Sequence, residues 1–189
     1  MEFILASASP RREQLLREMG LPFRIVRPEG VAEELAGAAP EVVALENARR
    51  KARAVAARHA DALVLGADTI VVLAGEVFGK PRDLTEAADM LARLAGRRHE
   101  VITAVCLIHR ALETEIAFAD RTGVWMRSLT RAQIAEFLAK INPLDKAGAY
   151  AIQEHGAGIV ERIEGSFSTV MGLPVERLRA TLQKLGLAG

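Results

Sequence analysis

Between residues 62 and 73 the chain reads ALVLGADTIVVL, two four-residue apolar runs around an interval that holds a single acid, Asp68. Runs this short suit buried strands rather than helices, and buried strands need helices to cover them. The pattern predicts strands at residues 62–65 and 70–73, with 66–69 as a polar elbow that sets Asp68 at a turn. The rest of the chain supplies the cover. Helices are expected at 12–19, stopped by Gly20; at 40–60, through Val43, Ala44, Ala48, Ala52 and Val55; at 85–94; at 129–139, with Thr130 as cap; and at 174–187. Further strands are expected at 3–6, 23–26, 99–108 and 114–126, with a hairpin turn at 74–76. Residues 143–172 are punctuated by glycine, with strand-like pieces at 150–153 and 159–163. The hairpin-like middle is not a pure βαβ series, so the expected fold is α/β, one domain over residues 1–189 with a mixed, twisted sheet flanked by helices.

Composition narrows the partners. Lys and Arg number 25 against 24 Asp and Glu, a formal charge of +1, so no global field draws a polyanion. With six Phe, one Trp and one Tyr there is little to stack single-stranded bases on, and nucleic acid is not an expected partner. No apolar run approaches a bilayer span, and residues 1–12 do not read as a secretory signal. One cysteine, Cys106, allows no internal disulfide, which agrees with a reducing cytoplasm.

Four constellations could carry chemistry. Ser7-Ala8-Ser9-Pro10-Arg11-Arg12, between a strand end and a helix start, offers hydroxyls, backbone N–H groups and two guanidinium groups, as a phosphate cradle would; a hydroxyl helix cap with solvated arginines is the plainer account. Asp68 could hold a divalent ion or take a proton from an attacking water, where the plainer account is a turn-forming aspartate. Lys51 and Lys80 could neutralise a polyphosphate as point charges. In the stretch Asp145 to Gln153, small residues allow close backbone approach, and the Gln153 amide can match the acceptor and donor edge of uracil or thymine. The P-loop pattern, a zinc spacing of histidines and a GxSxG elbow at Ser166 are all missing, and Cys106 lies in an apolar run as a core residue would.

Taken in order, these pieces resemble the Maf family of nucleotide pyrophosphatases over nearly the whole chain. The resemblance is carried by residues 7–12, the Ala-Arg-Arg-Lys-Ala stretch around Lys51, Gly66-Ala67-Asp68-Thr69-Ile70-Val71, Gly79-Lys80-Pro81, Gly96 with His99, Val101 and Thr103, residues 145–153, and Gly165-Ser166 with 170–174. It implies hydrolysis of a nucleoside triphosphate to the monophosphate and pyrophosphate, a divalent cation such as Mg²⁺ or Mn²⁺, a fold related to the inosine triphosphatases, and a homodimer. Asp68 would be the proton acceptor. Arg11, Thr69 and Gln153 would tune substrate choice, and Ser7, Arg12, Lys51 and Lys80 would contact the triphosphate. The run Gly-Ala-Tyr-Ala-Ile-Gln at 148–153 is similar to the dTTP- and UTP-preferring branch rather than the 7-methyl-GTP branch. A nucleotide-binding regulator linked to septum formation is the alternative of a different class. Whether Asp68 is a base or a metal ligand stays open, because both duties need the same carboxylate; Glu33 or Glu34 would be further ligands. Ala95 and Met171 depart from the family pattern at positions assigned no chemistry.

Overall fold

A computed structural model describes residues 1–33 and 38–186. In chain order the elements are β1 (Glu2–Ala6), α1 (Pro10–Glu18), β2 (Arg24–Ile25), α2 (Pro40–Ala56), β3 (Ala62–Leu73), β4 (Glu76–Phe78), α3 (Leu84–Leu94), β5 (Arg98–His109), β6 (Thr114–Met126), α4 (Arg131–Leu138), β7 (Val160–Glu164), α5 (Phe167–Met171) and α6 (Val175–Lys184). The strands form one seven-stranded sheet in the order β2-β1-β3-β5-β6-β7, with β4 also paired to β3. The pairings of β1 with β2 and β3 are parallel and the others antiparallel, so the sheet is mixed, as expected of this α/β fold.

Side chains alternate across β3, and each face has its own helices. Val64, Ile70 and Val72 pack with Ala44, Ala48, Ala52 and Val55 of α2. Leu63, Leu65 and Ala67 pack with Leu15 and Leu16 of α1 and with Leu178 and Leu182 of α6. Farther along, Val71 and Leu73 join Leu91 and Leu94 of α3 and Ile134 and Phe137 of α4. Gly66 points at α2, where an added Cβ would fall against the Ala48 carbonyl oxygen and 2.6 Å from the Ala52 nitrogen. The helix therefore lies on the bare backbone of the strand.

The largest correction to the sequence reading lies here. Residues 62–73 are one continuous strand, and the elbow at 66–69 does not exist. The partner strand explains why: β5 pairs with β3 without interruption from Val64↔Ile108 to Val72↔Glu100, so Asp68 and Thr69 stand opposite Ala104 and Thr103 inside the ladder. Residues 150–153 are not a strand either. They follow a 3₁₀ turn at Ala147–Ala149 in which Gly148 and Ala149 take φ of 68° and 65°. The short helix α5 went unread within the glycine-punctuated region. Elsewhere the expected elements are present with shifted ends: α2 stops at Ala56 rather than residue 60, and α6 at Lys184, residue 187 lying outside the described residues. Thr130 caps α4 with the reciprocal Gln133 contact of a capping box.

Candidate active site

The sheet opens where the residues singled out from the sequence collect. On the edge away from β5, β3 pairs with β1 through Ala62–Gly66 and with β4 through Val71–Leu73, which leaves residues 67–70 without a strand neighbour on that side. Beyond the end of β1 the chain turns through Ser7–Ser9 into α1. A cleft of about 480 Å³ occupies this gap, a size suited to a small-molecule ligand. All eight residues singled out from the sequence, Ser7, Arg11, Arg12, Lys51, Asp68, Thr69, Lys80 and Gln153, line it, together with Glu33. Glu34 lies outside the described residues.

Because Asp68 and Thr69 are successive in a strand, they serve opposite faces. Asp68, 4% exposed, points to α2. The Lys51 ammonium donates to its Oδ1 at 2.6 Å, and the Asn47 amide donates to its Oδ2 at 3.1 Å. Lys51 also donates to Glu33 Oε1 at 2.7 Å, and Lys80 reaches both Glu33 oxygens at 3.0 and 3.2 Å. The result is an alternating chain of charge, Asp68–Lys51–Glu33–Lys80. Burial by itself would raise the Glu33 carboxyl, but the charges and hydrogen bonds of Lys51 and Lys80 outweigh it and hold the group down at about 2. Asn47 was missed in the sequence, although the signal was there. Asn47 and Lys51 are four residues apart on the buried Ala44, Ala48 and Ala52 stripe of α2, where polar groups need partners.

Thr69 faces Arg12. The guanidinium donates from Nη2 to Thr69 Oγ1 at 3.1 Å, from Nη1 to Ser7 Oγ at 3.3 Å and from Nε to the Gly172 carbonyl at 3.0 Å. Thr103 Oγ1 donates to the Thr169 carbonyl at 2.7 Å. Its only proton is thereby spent, so in the 3.0 Å contact between the two threonines it is Thr69 that donates. Thr69 thus accepts from Arg12 and donates to Thr103, which fixes its orientation. Burial lowers the Arg12 pKa, and the Asp68 charge works against that shift. Ser9 caps α1 without a side-chain bond; instead the Ser9 N–H donates to Ser7 Oγ at 3.1 Å. The plainer account, a hydroxyl cap with solvated arginines, therefore fails at Ser9 and Arg12: the Ser9 side chain makes no cap bond, and Arg12 is bound across the sheet gap.

The third wall is the loop 145–153. Arg11 Nη1 stands 4.0 Å from Asp145 Oδ2. Tyr150, buried, shares a 2.7 Å hydrogen bond with His99 Nε2. Burial, with the neighbouring Arg98 charge, lowers the His99 pKa to about 4, and burial raises that of the Tyr150 hydroxyl, so both are neutral at pH 7. Gln153 lines the cleft, and its Oε1 is buried with no partner among the described residues.

Comparison with known proteins places the chain in a family. The profile of the family described as Maf-like protein matches residues 2–185. The chain is 46% identical over 187 residues to the dTTP/UTP pyrophosphatase of Moorella thermoacetica, covering 98% of this chain and 96% of that one. It is 44% identical over 185 residues to the dTTP/UTP pyrophosphatase of Symbiobacterium thermophilum, covering 98% and 94%. Among solved structures it resembles the Staphylococcus aureus Ham1 protein, with a TM-score of 0.57 at 15% identity over 98% of this chain and 100% of that one. A HAM1 protein from Coxiella burnetii superposes with a TM-score of 0.51 at 16% identity, over 97% and 99%. These two likenesses concern the fold alone.

Proposed function

The chain belongs to the Maf-like protein family, and from that premise we propose that it is a nucleoside triphosphate pyrophosphatase that cleaves dTTP and UTP to the monophosphate and pyrophosphate in the cytoplasm. The observation that carries this reading is the buried Asp68 carboxylate, set in a gap of the sheet and opening on a cleft lined by Lys51, Lys80, Arg11 and Arg12. Relatives of nearly equal length bear the name dTTP/UTP pyrophosphatase.

A triphosphate brings about four negative charges near neutral pH. The cations on both sides of β3, with the N-terminus of α1, are the groups that match it and that stabilise the charge growing on the leaving pyrophosphate. In the reaction a water oxygen bonds to the α-phosphorus and its proton passes to Asp68. The bridging bond from the α-phosphorus to oxygen breaks, and its electron pair departs on the pyrophosphate. Among the described residues no three His, Cys, Asp or Glu side chains converge. Asp68 and Glu33, joined through Lys51, do fit Mg²⁺ or Mn²⁺, which are held by one or two carboxylates plus phosphate oxygens. Such an ion, when bound, neutralises phosphate charge. Each Asp68 oxygen accepts one hydrogen bond and keeps a free lone pair, so one carboxylate can serve both duties.

The test is a substrate panel of dTTP, UTP, CTP and 7-methyl-GTP with Mg²⁺ or Mn²⁺, products resolved, run beside Asp68→Asn. Pyrophosphate and the monophosphate should form from dTTP and UTP, and the substitution should lower kcat by about 10²–10⁴ while nucleotide binding persists. Release of single phosphate, or an Asp68→Asn enzyme as fast as the wild type, overturns the reading. Tight binding without turnover in the wild type marks a sensor instead.

A further inference from the structure

Lys146 is 3% exposed at the start of the loop that leads to Gln153, and nothing in the phosphate chemistry above calls for a buried lysine there. Its ammonium carries three N–H donors. It donates to the Asn142 carbonyl at 2.7 Å and to Asp145 Oδ1 at 2.8 Å, and it forms an ion pair with a third group, Glu154 Oε2, at 3.2 Å. The first two stand where the loop begins and the third where it ends, so one side chain ties the loop across its neck. Asp145 is also the residue that Arg11 approaches, and Glu154 directly follows Gln153. Between the two ends the loop is pinned to the phosphate side of the cleft. The Gly148 N–H donates to the Gly79 carbonyl at 3.1 Å, next to Lys80, and a Cβ on Gly148 would meet Val71 Cγ2 at 3.0 Å.

Placement is what a glutamine needs in order to discriminate. Its amide offers one acceptor and two donors on a group that can turn over. Set against N3 and the C4 substituent of a pyrimidine, it pairs with uracil in one orientation and with cytosine in the other. Set against N3 and O2 it pairs with uracil or thymine, which present a donor and an acceptor. Cytosine presents two acceptors there and leaves the glutamine oxygen unmatched in either orientation. The same side chain therefore reads one base or both according to where the backbone holds it.

We propose that Lys146 is the positioning residue for base selectivity: it closes the 142–154 loop so that Gln153 is held against one edge of the pyrimidine. This rests on the dTTP and UTP reading above. A side chain in this role affects discrimination between bases more than the phosphate chemistry, and that separates it from a merely structural lysine.

The experiment measures kcat/KM for dTTP and dCTP with the wild type, Lys146→Met and Glu154→Gln, with thermal melts alongside. In Lys146→Met the preference for dTTP should fall by about tenfold or more, the loss falling on dTTP while dCTP stays within about threefold. Glu154→Gln, which removes the charge of the ion-paired carboxylate while keeping an acceptor oxygen, should move the ratio in the same direction by less. If Lys146→Met does not fold, Glu154→Gln decides, since its carboxylate is 37% exposed and tolerates the change. Equal losses on both nucleotides, or an unchanged ratio in the folded variants, overturn the proposal. A wild type that hydrolyses neither nucleotide overturns the pyrophosphatase reading itself, and one that hydrolyses both alike overturns the base preference and this proposal with it; the wild-type measurements tell these apart from a failure of Lys146 alone.

Discussion

His99 meets Tyr150 through Nε2, and its Nδ1 has no partner among the described residues, so the ring is buried in a state that a proton would disrupt. Its pKa is lowered from 6.5 to about 4 by burial and then by Arg98. The unfolded chain therefore takes up the proton first. The stability held by neutral His99 is fully present above pH 6.5 and is lost as pH falls from 6.5 towards 4, with a span on the order of 3 kcal/mol at about 1.4 kcal/mol per unit. Melts of wild type and His99→Gln between pH 7.5 and 4 should show that slope in the wild type and a flatter one in the variant; parallel curves would rule it out. This pair was half legible in the sequence. His99 and Tyr150 each sit in a motif, yet no spacing rule joins residues 51 apart, and only the fold brings them together. Asp68 teaches the converse. As a residue it was singled out and it does line the cleft, while its setting was misread, because an acid amid apolar runs usually marks a turn and here its partners Asn47 and Lys51 arrive from another element.

α2 and β3 act as one device. The bare backbone at Gly66 lets the helix descend, and one turn along it Lys51 comes within 2.6 Å of Asp68. Gly66→Ala has to push the helix away, since the two nearest obstructing atoms, the Ala48 carbonyl oxygen and the Ala52 nitrogen, are backbone. A loss of about 1–3 kcal/mol in stability and at least a tenfold fall in kcat are expected, checked by urea melts and steady-state rates. By contrast, Asp83→Ala removes the α3 cap that accepts from the Glu86 N–H at 2.8 Å, and Asp83 does not line the cleft that holds Asp68. It should cost about 1 kcal/mol with kcat/KM unchanged, and a parallel loss of activity would show that stability alone governs rate. Elements of this kind were readable where periodicity is strong, as in α2, β5 and β6. They were not where the backbone follows distant contacts: the 150–153 stretch has strand composition, but the left-handed Gly148–Ala149 pair and the bond to Gly79 bend it into the cleft wall.

At the scale of the whole molecule, a chain of charge +1 sets four of its 25 Lys and Arg, Arg11, Arg12, Lys51 and Lys80, around one cleft, so any attraction for an anion is local. Cys106, in the second half of β5, reports on the integrity of the sheet. It is fully buried, and burial followed by the nearby Glu115 charge raises its thiol pKa to about 12. A thiol reagent should leave native protein unmodified over hours and react within minutes in denaturant; rapid reaction of the folded, active enzyme would show that β5 opens on its own. No helix among the described residues is long and apolar enough to cross a membrane. The gap in the sheet is bordered by a strand that presents a carboxylate to one side and a hydroxyl to the other at adjacent positions. Were β3 to pair with β5 one residue out of step, every side chain would change sides. Asp68 would then confront Arg12 and Thr69 would confront Lys51. Such a molecule could retain its secondary structure and be inert, so specific activity counts the chains whose strands are in register, a measure of folding fidelity that spectroscopy of the backbone does not provide.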